Sequence, residues 1–467
     1  MSRVTRRLFL AGLASTVAAP RIAKSAINPD FDVIIIGAGA AGIAAARRLA
    51  GSGKTFAVLE ASDRLGGRCF TDTRTFGHPY DQGAYSLHET DSFPVAELAA
   101  KAGLEIHKKP ALTQFRTRMK QKSDAKFRSA REYETEEFYV NLARCDREIL
   151  KASLLDADMS CAQAIPKDIG GWRSTMDFML GPFAFGSDLT DMSVKEYVSS
   201  NRPEQSVRIR QGVGTLFGRL AHKSPIQFFS PVSRIEWGSQ AVAVEMRGQR
   251  ITAHAVIITA STGVLASDKI NFTPSLPVKY AEAINKLKLG SCDRVAIELA
   301  DNQLGLPMDE ILFEKATGRL TAAGHTNFMG SRLCYVQLGG TCCAELADEG
   351  EAAQTKFAVD WLVAQFGSGI RKSIKRTHAT RWNKQPWTLG AFSSASPGGR
   401  AARKVLSQPL SDRIWFAGEA VHESLWGTVA GAWETGERAA NAVLEFRRSP
   451  QGEFAYARGK QPPIAAR

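Results

Sequence analysis

The chain has 467 residues, 44% of them hydrophobic and 23% charged, and a formal net charge of +13. That length exceeds one ordinary core and predicts two domains of globular composition, with no low-complexity tract or short repeat. The charge argues against a nucleic-acid surface, because Arg3, Arg6, Arg7, Arg21 and Lys24 at one end and Arg447, Arg448, Arg458, Lys460 and Arg467 at the other hold much of it.

The first element, residues 1–26, reads as a twin-arginine signal peptide. Thr5-Arg6-Arg7-Leu8-Phe9-Leu10 resembles the twin-arginine export motif, and the apolar run Leu8 to Ala19 is too short to span a bilayer stably. Cleavage after Ala26 would release a periplasmic protein, exported folded by the twin-arginine machinery. A basic N-terminus on a cytoplasmic enzyme is the competing reading.

Residues 31–71 follow. Val33 to Ile36 is a short β-branched run that reads as a buried parallel strand. Gly37, Gly39 and Gly42 form GxGxxG, and an Ala-rich helix opens at Ala40 and runs through Leu49. The glycines permit a tight turn, close approach to a pyrophosphate and close helix–strand packing. The helix N-terminus adds N–H groups and positive dipole. A second strand, Phe56 to Leu59, ends at Glu60, whose carboxylate can accept both ribose hydroxyls of an adenosine.

The continuation, Glu60-Ala-Ser-Asp-Arg-Leu-Gly-Gly-Arg68, resembles the flavin-dependent amine oxidases, the group of monoamine oxidases, polyamine oxidases and lysine-specific histone demethylases. The resemblance runs from residue 31 to about 446 and is most specific at its two ends. It implies an α/β chain (α+β overall) with the amine-oxidase two-domain fold. A Rossmann-like FAD-binding domain would take 31–90, 205–275 and 385–446. An inserted sheet-and-helix substrate domain would take 91–204 and 276–384, and a basic tail 447–467. It also implies that Gly67 and Arg68 lie along the FAD diphosphate and the flavin edge.

Next, Tyr80-Asp-Gln-Gly-Ala-Tyr-Ser-Leu-His88 follows a hairpin, and by resemblance sets Gly83 and Ala84 against the flavin. His88 is then either a substrate-facing side chain or a solvated loop residue. Pro94 to Leu104 reads as a helix. Residues 105–204 read as helical without strands: Phe138, Leu142, Cys145 and Ile149 recur at helical spacing, and Ser193 with Glu196 makes a capping box. Arg210 to Thr215 reads as a Gly-rich turn before a helix. Val232 opens a strand through Ile235 and by resemblance touches the adenine side of FAD through its backbone. Ala255 to Thr259 is a further buried strand. At Arg294 most relatives place a Lys that holds a water near the flavin. Arginine keeps the charge but brings a planar fork, and a strand-surface ion pair is the other reading. Residues 331–366 read as a strand, with Cys342-Cys343 at its end, and then an amphipathic helix.

Two C-terminal stretches complete the resemblance. Trp387-Thr-Leu-Gly-Ala-Phe392 resembles the family motif that turns an aromatic residue, Phe392, to the flavin. Ala391 stands where members with covalent flavin carry Cys, so non-covalent FAD is implied. Then a strand ends at Gly418-Glu419, and a helix starts near Thr428 with Val429, Ala432, Trp433, Gly436 and Ala440 on one small apolar face. Its N-terminus is implied to point at the flavin.

The expectation is an FAD-dependent amine oxidase acting on a polyamine or another primary or secondary amine, with dioxygen or a periplasmic carrier as electron acceptor. Its catalytic set is Arg294, Phe392, Trp387, His88 and Thr428. Its FAD set is Gly37, Gly39, Ala40, Gly42, Glu60, Gly67, Arg68, Gly83, Ala84, Val232, Gly418, Glu419, Thr428 and Val429. The seven cysteines lack ligand spacing, so no metal is expected. A homodimer stays open, as do three alternatives: an L-amino-acid oxidase, a desaturase-type flavoprotein and a flavin-loaded electron-transfer protein.

Overall fold

The computed structural model describes residues 29–108, 115–120, 127–203, 206–302 and 304–448. The expected signal peptide and the tail beyond Arg448 lie outside these residues.

The strand Phe31–Ile36 lies in parallel register between Phe56–Leu59 and Gln249–Ile258. A strand covered on both faces must be apolar on both, and Val33–Ile36 are all buried. Alternate side chains point to opposite faces. Val33 and Ile35 share a core with Ala41, Ala45 and Leu49 of the helix Ala40–Ala50 and with Ala440 and Val443 of the helix Val429–Arg448. Ile34 and Ile36 join Val256, Ile258, Ala283 and Leu406 on the other face. Ile226–Gln227, Val242–Met246, Val232–Glu236, Asn271–Thr273 and Ile414–Phe416 complete this eight-stranded sheet. The two helices meet at Gly436, where a Cβ would lie 2.1 Å from the Ala41 carbonyl oxygen.

The second sheet has the order Ile374–Ala379, Cys292–Leu299, Leu333–Gly339, Ala323–Thr326, Glu310–Glu314, Phe115–Lys120, Phe127–Ser129. Val295, Ile297, Val336 and Leu338 pack with Ala358, Trp361 and Leu362 of the helix Glu351–Phe366. Residues of the other parity, Cys292, Arg294 and Gln337, therefore look away from that helix, and Arg294 and Gln337 are register partners. A helical layer covers the remaining side. Its longest helix, Glu132–Ser153, buries Phe138, Cys145 and Ile149 in a core with Trp172 and Met176.

Packing redraws two expected boundaries. The helix Val95–Lys101 buries Val95, Leu98 and Ala99 with Ile43, Phe217 and Trp433, so the nucleotide side extends beyond residue 90. Likewise Tyr280, Ala283, Ile284 and Leu287 belong to the core of the eight-stranded sheet, and the second unit begins near Cys292 rather than at 276. Residues 105–204, read as free of strands, contain Ile106–Lys108 and Phe115–Lys120, which pair with Ser206–Ile209 and Glu310–Glu314 far along the chain, and Phe127–Ser129, which pairs back on Phe115–Lys120. Cys342 and Cys343 sit in the helix Gly340–Glu349, because Gly340 at φ +66° turns the chain out of the strand. The capping box at Ser193 is half formed. The Ser193 hydroxyl accepts the Glu196 N–H at 3.1 Å, but the Glu196 carboxylate pairs with Arg403, both fully buried. The last helix runs to Arg448, past the expected end of the FAD-binding domain at 446.

Candidate active site

Where the first strand ends, Gly37 takes φ +101°, and a Cβ there would meet the Thr259 hydroxyl at 2.5 Å. A Cβ on Gly42 would lie 1.9 Å from the Gly37 carbonyl oxygen, so this glycine sets the helix against the strand. Gly39 differs: no protein atom lies within 4 Å of its virtual Cβ, and it faces a cavity of about 820 Å³. The helix starting at Ala40 has neither a side-chain cap nor an acidic residue in its first turn. Its free N–H groups and dipole are thus available to an anion. Glu60 is buried at the end of the second strand and accepts the Ala38 N–H at 2.7 Å and the Ser62 hydroxyl at 2.7 Å.

Gly67 (φ +56°) brings the next segment over this helix start; its virtual Cβ lies 3.4 Å from the Gly39 Cα. Gly83 lies so close that a Cβ would be 1.8 Å from the Arg68 carbonyl oxygen, which accepts the Ala84 N–H at 3.0 Å. The Arg68 guanidinium donates to the Ala391 carbonyl and pairs with Glu419 at 3.0 Å.

The same cavity is lined by every expected site residue except Gly42, which packs behind it. Geometry revises three roles. Glu419, expected against the cofactor, spends its oxygens on Arg68, on the Ser393 N–H and hydroxyl (3.1 and 2.7 Å) and on the Gly427 N–H (2.9 Å). It clamps three segments that line the cavity. Burial pushes its carboxyl up, but the charges of Arg68 and Arg403 and the Ser393 hydroxyl outweigh that, and the net shift is downward. The Thr428 hydroxyl donates to the Leu425 carbonyl at 2.6 Å and accepts the Gly431 N–H at 3.0 Å. It caps the last helix, so Thr428 presents a helix start rather than a free hydroxyl. Trp387, expected to wall the pocket with Phe392, is 40% exposed with the Lys269 ammonium 5.5 Å above its ring. The buried tryptophan of this stretch is Trp382, whose indole N–H donates to the Gln82 carbonyl at 3.2 Å.

The far wall comes from the second sheet and the helical layer. The Arg294 guanidinium lies 4.0 Å over the Tyr85 ring, and no ion pair holds it among the described residues. Its side chain lines the cavity. Phe392 touches the virtual Cβ positions of Gly186 (3.4 Å) and Gly427 (3.6 Å), and half-buried His88 lies on the short strand Leu87–His88. Sequence reasoning missed Arg202, Phe183 and Gln337. A π-helical turn, Met179–Phe183, delivers Phe183, whose carbonyl accepts the Gln337 side-chain N–H at 3.0 Å. The aromatic run Gly181-Pro-Phe-Ala-Phe-Gly186 was the available signal. Arg202 donates to the Ala184 carbonyl at 2.9 Å, and burial pulls its guanidinium down to about 10. Cys69 and Cys292 also line the cavity, their thiols pushed up by burial to about 12 and about 11, so neither is a ready nucleophile. Among the described residues no His, Cys, Asp or Glu group could hold a metal ion, and no helix is long and apolar enough to cross a membrane.

Comparison with known proteins matches this layout. Lysine-specific histone demethylase 2 of Homo sapiens is 26% identical over 449 residues, covering 89% of this chain and 53% of its own length. The chain thus spans about half the length of the histone demethylases it matches. Polyamine oxidase 4 of Oryza sativa subsp. japonica is 27% identical over 451 residues, covering 90% of each. Putrescine oxidase bound to putrescine superposes with TM-score 0.74 at 19% identity, over 89% of this chain and 99% of that one. Cyclohexylamine oxidase from Brevibacterium oxydans gives 0.73 at 22% identity, over 90% and 100%. The sequence model of flavin containing amine oxidoreductases matches residues 40–444, from the first helix of the glycine cradle to the last. With that pattern covering most of the chain, the chain belongs to the flavin-containing amine oxidoreductases, whose cofactor is FAD.

Proposed function

We propose that the chain is an FAD-dependent amine oxidase. One observation carries the reading: a single cavity joins the glycine-lined helix start to a wall holding Tyr85, Arg294 and Phe392, so a substrate on that wall lies against a group seated in the cradle. The residues fit FAD. Gly39 leaves room for a diphosphate, the first helical turn carries no acidic side chain, and Glu60 stands where ribose hydroxyls need an acceptor. Ala391 offers no nucleophile, so FAD is held without a covalent bond. The names of the relatives, polyamine, putrescine and cyclohexylamine oxidases, support an amine as substrate.

When bound, FAD supplies the oxidant, accepting a hydride from the carbon beside the amine nitrogen. The substrate becomes an iminium, which water hydrolyses to a carbonyl compound and ammonium or a smaller amine. Dioxygen, reduced to peroxide, or an external carrier takes up the two electrons. The chain's own part is to hold the amine neutral, since amines of pKa about 10 are mostly protonated at neutral pH. Desolvation in a cavity lined by Phe392, Tyr85 and Phe183, together with the like charges of Arg202 and Arg294, disfavours an ammonium there. The start of the helix Val429–Arg448 lays its positive dipole toward the cavity, favouring negative charge that develops there.

The test is anaerobic mixing of the FAD-loaded protein with polyamines, aromatic monoamines, cyclic amines and amino acids, watched by flavin bleaching. Bleaching by one class is expected, and peroxide on admitting air would identify dioxygen as acceptor. Silence from every class would overturn the reading. Export by the twin-arginine route belongs to the same proposal, and replacing Arg6-Arg7 by Lys-Lys should hold the protein in the cytoplasmic fraction.

A further inference from the structure

We infer that the amine oxidised here also carries a carboxylate, and that Arg294 is its anchor. The inference rests on the amine-oxidase reading and names the substrate class of that site.

Among the described residues lining the cavity, the acidic ones are Glu60, Asp63 and Glu419. Glu60 and Asp63 follow the second strand of the nucleotide unit, and Glu419 is consumed by Arg68, Ser393 and Gly427. The wall made by the second sheet and the helical layer has no carboxylate among those residues, and it has two guanidiniums, Arg202 and Arg294. A di- or polyamine holds its distal nitrogens as cations and needs carboxylates to receive them. Here those nitrogens would meet two positive charges across a cavity walled by aromatic rings, where like charges repel strongly.

Arg294 is built to receive an anion. It carries five N–H donors in a planar fork. Among the described residues its side chain makes no hydrogen bond or ion pair; the Tyr85 ring lies 4.0 Å away, its charge also acts on the buried Asp81 carboxyl, and its Nε is buried without an acceptor. Stacking on one face orients the fork and leaves its edge to the cavity. Arg202 differs: it gives donors to the Ala184 and Trp426 carbonyls (2.9 and 3.5 Å) and stacks 4.5 Å over Phe185, so it supplies charge from a fixed position while its own Nε also lacks an acceptor. A carboxylate matches the Arg294 fork in two parallel hydrogen bonds, which an ammonium cannot make.

The experiment compares matched pairs on the FAD-loaded protein: L-leucine with 3-methylbutylamine, L-phenylalanine with 2-phenylethylamine, L-lysine with 1,5-diaminopentane, and 4-aminobutyrate with propylamine. In the productive pair the carboxylate-bearing member should bleach the flavin roughly 10- to 100-fold more efficiently, the range for one charge-assisted hydrogen-bonded contact. A decarboxylated member that reacts as fast or faster overturns the inference while leaving amine oxidation intact. If no member of any pair bleaches the flavin, amine oxidation itself fails, and a second readout decides the anchor. Calorimetric titration with benzoate should show binding weakened roughly 10- to 100-fold by Arg294→Met and less by Arg294→Lys, at unchanged FAD content. Unchanged benzoate affinity in Arg294→Met, with an altered flavin spectrum, would assign Arg294 to the cofactor and overturn the carboxylate anchor.

Discussion

On one side of the cavity the chain offers backbone; on the other it offers side chains. The nucleotide side is made of Gly37, Gly39, Gly67, Gly83 and the uncapped start of Ala40–Ala50, positions where a Cβ would collide with the chain or fill the cavity. The opposite side is made of Tyr85, Phe183, Arg202, Arg294 and Phe392, brought from separate segments and held by packing and buried polar clamps. A backbone cradle is built mostly from positions that leave little room for a side chain. A side-chain wall can be rewritten residue by residue, and under the proposed function it is where substrate choice would reside.

The contrast can be broken most severely at its joints. Arg403 and Glu196 are fully buried and link the helices Ala401–Ser407 and Val194–Ser199, and Arg403 also reaches the Ala420 carbonyl at 2.8 Å. Arg403→Ala strands the Glu196 carboxylate and should cost about 3–5 kcal/mol in denaturant unfolding. A loss below about 1 kcal/mol would show the clamp to be dispensable.

The cradle gives the next largest effects, of two kinds. Gly42→Ala drives a Cβ into the Gly37 carbonyl and should destabilise even the FAD-free protein by about 1–3 kcal/mol. Gly39→Ala meets no protein atom and should leave FAD-free stability within about 0.5 kcal/mol while lowering FAD retention about tenfold or more. The ratio of flavin to protein absorbance after gel filtration separates the two, and equal behaviour would refute the division of labour between these glycines.

Glu419→Gln should cost about 1–3 kcal/mol through its lost ion pair and hydrogen bonds. The folded-state pKa of Glu419 lies below its ordinary 4.5. Its stabilisation is therefore complete above pH 4.5 and lost as pH falls through the folded value. The Tm gap between wild type and Glu419→Gln should narrow on acidification below about 4.5; a gap that widens there contradicts the clamp. The smallest effect belongs to Trp387→Ala, within about 0.5 kcal/mol of wild type, since its ring is 40% exposed at the cavity rim. A large loss of FAD or of turnover in that variant would return Trp387 to the wall.

How legible each side was in the sequence follows from the same contrast. The strand, GxGxxG, helix and terminal Glu60 are consecutive, and each glycine's task is local, so position in the chain reveals the cradle. Arg294 depends on strand parity: had it shared the side of Val295, it would face the helix Glu351–Phe366 rather than the cavity. Arg202 and Phe183 reach the wall through an irregular turn and long-range packing that no period announces. Glu196 and Trp387 illustrate competition. A local capping pattern lost its carboxylate to a buried arginine far along the chain, and an aromatic residue in a family motif settled at the rim under a lysine.

All seven cysteines are free thiols, six of them buried and Cys342 partly exposed. An alkylating reagent would therefore capture Cys342 first, and the rest only as their surroundings open. Cys145 and Cys161 would time the helical layer, Cys292, Cys334 and Cys343 the second sheet and its helix, and Cys69 the cavity floor. The strands of the eight-stranded sheet contain no cysteine. A labelling clock on the native chain would thus record the loosening of the substrate wall while staying silent about the sheet beneath the nucleotide.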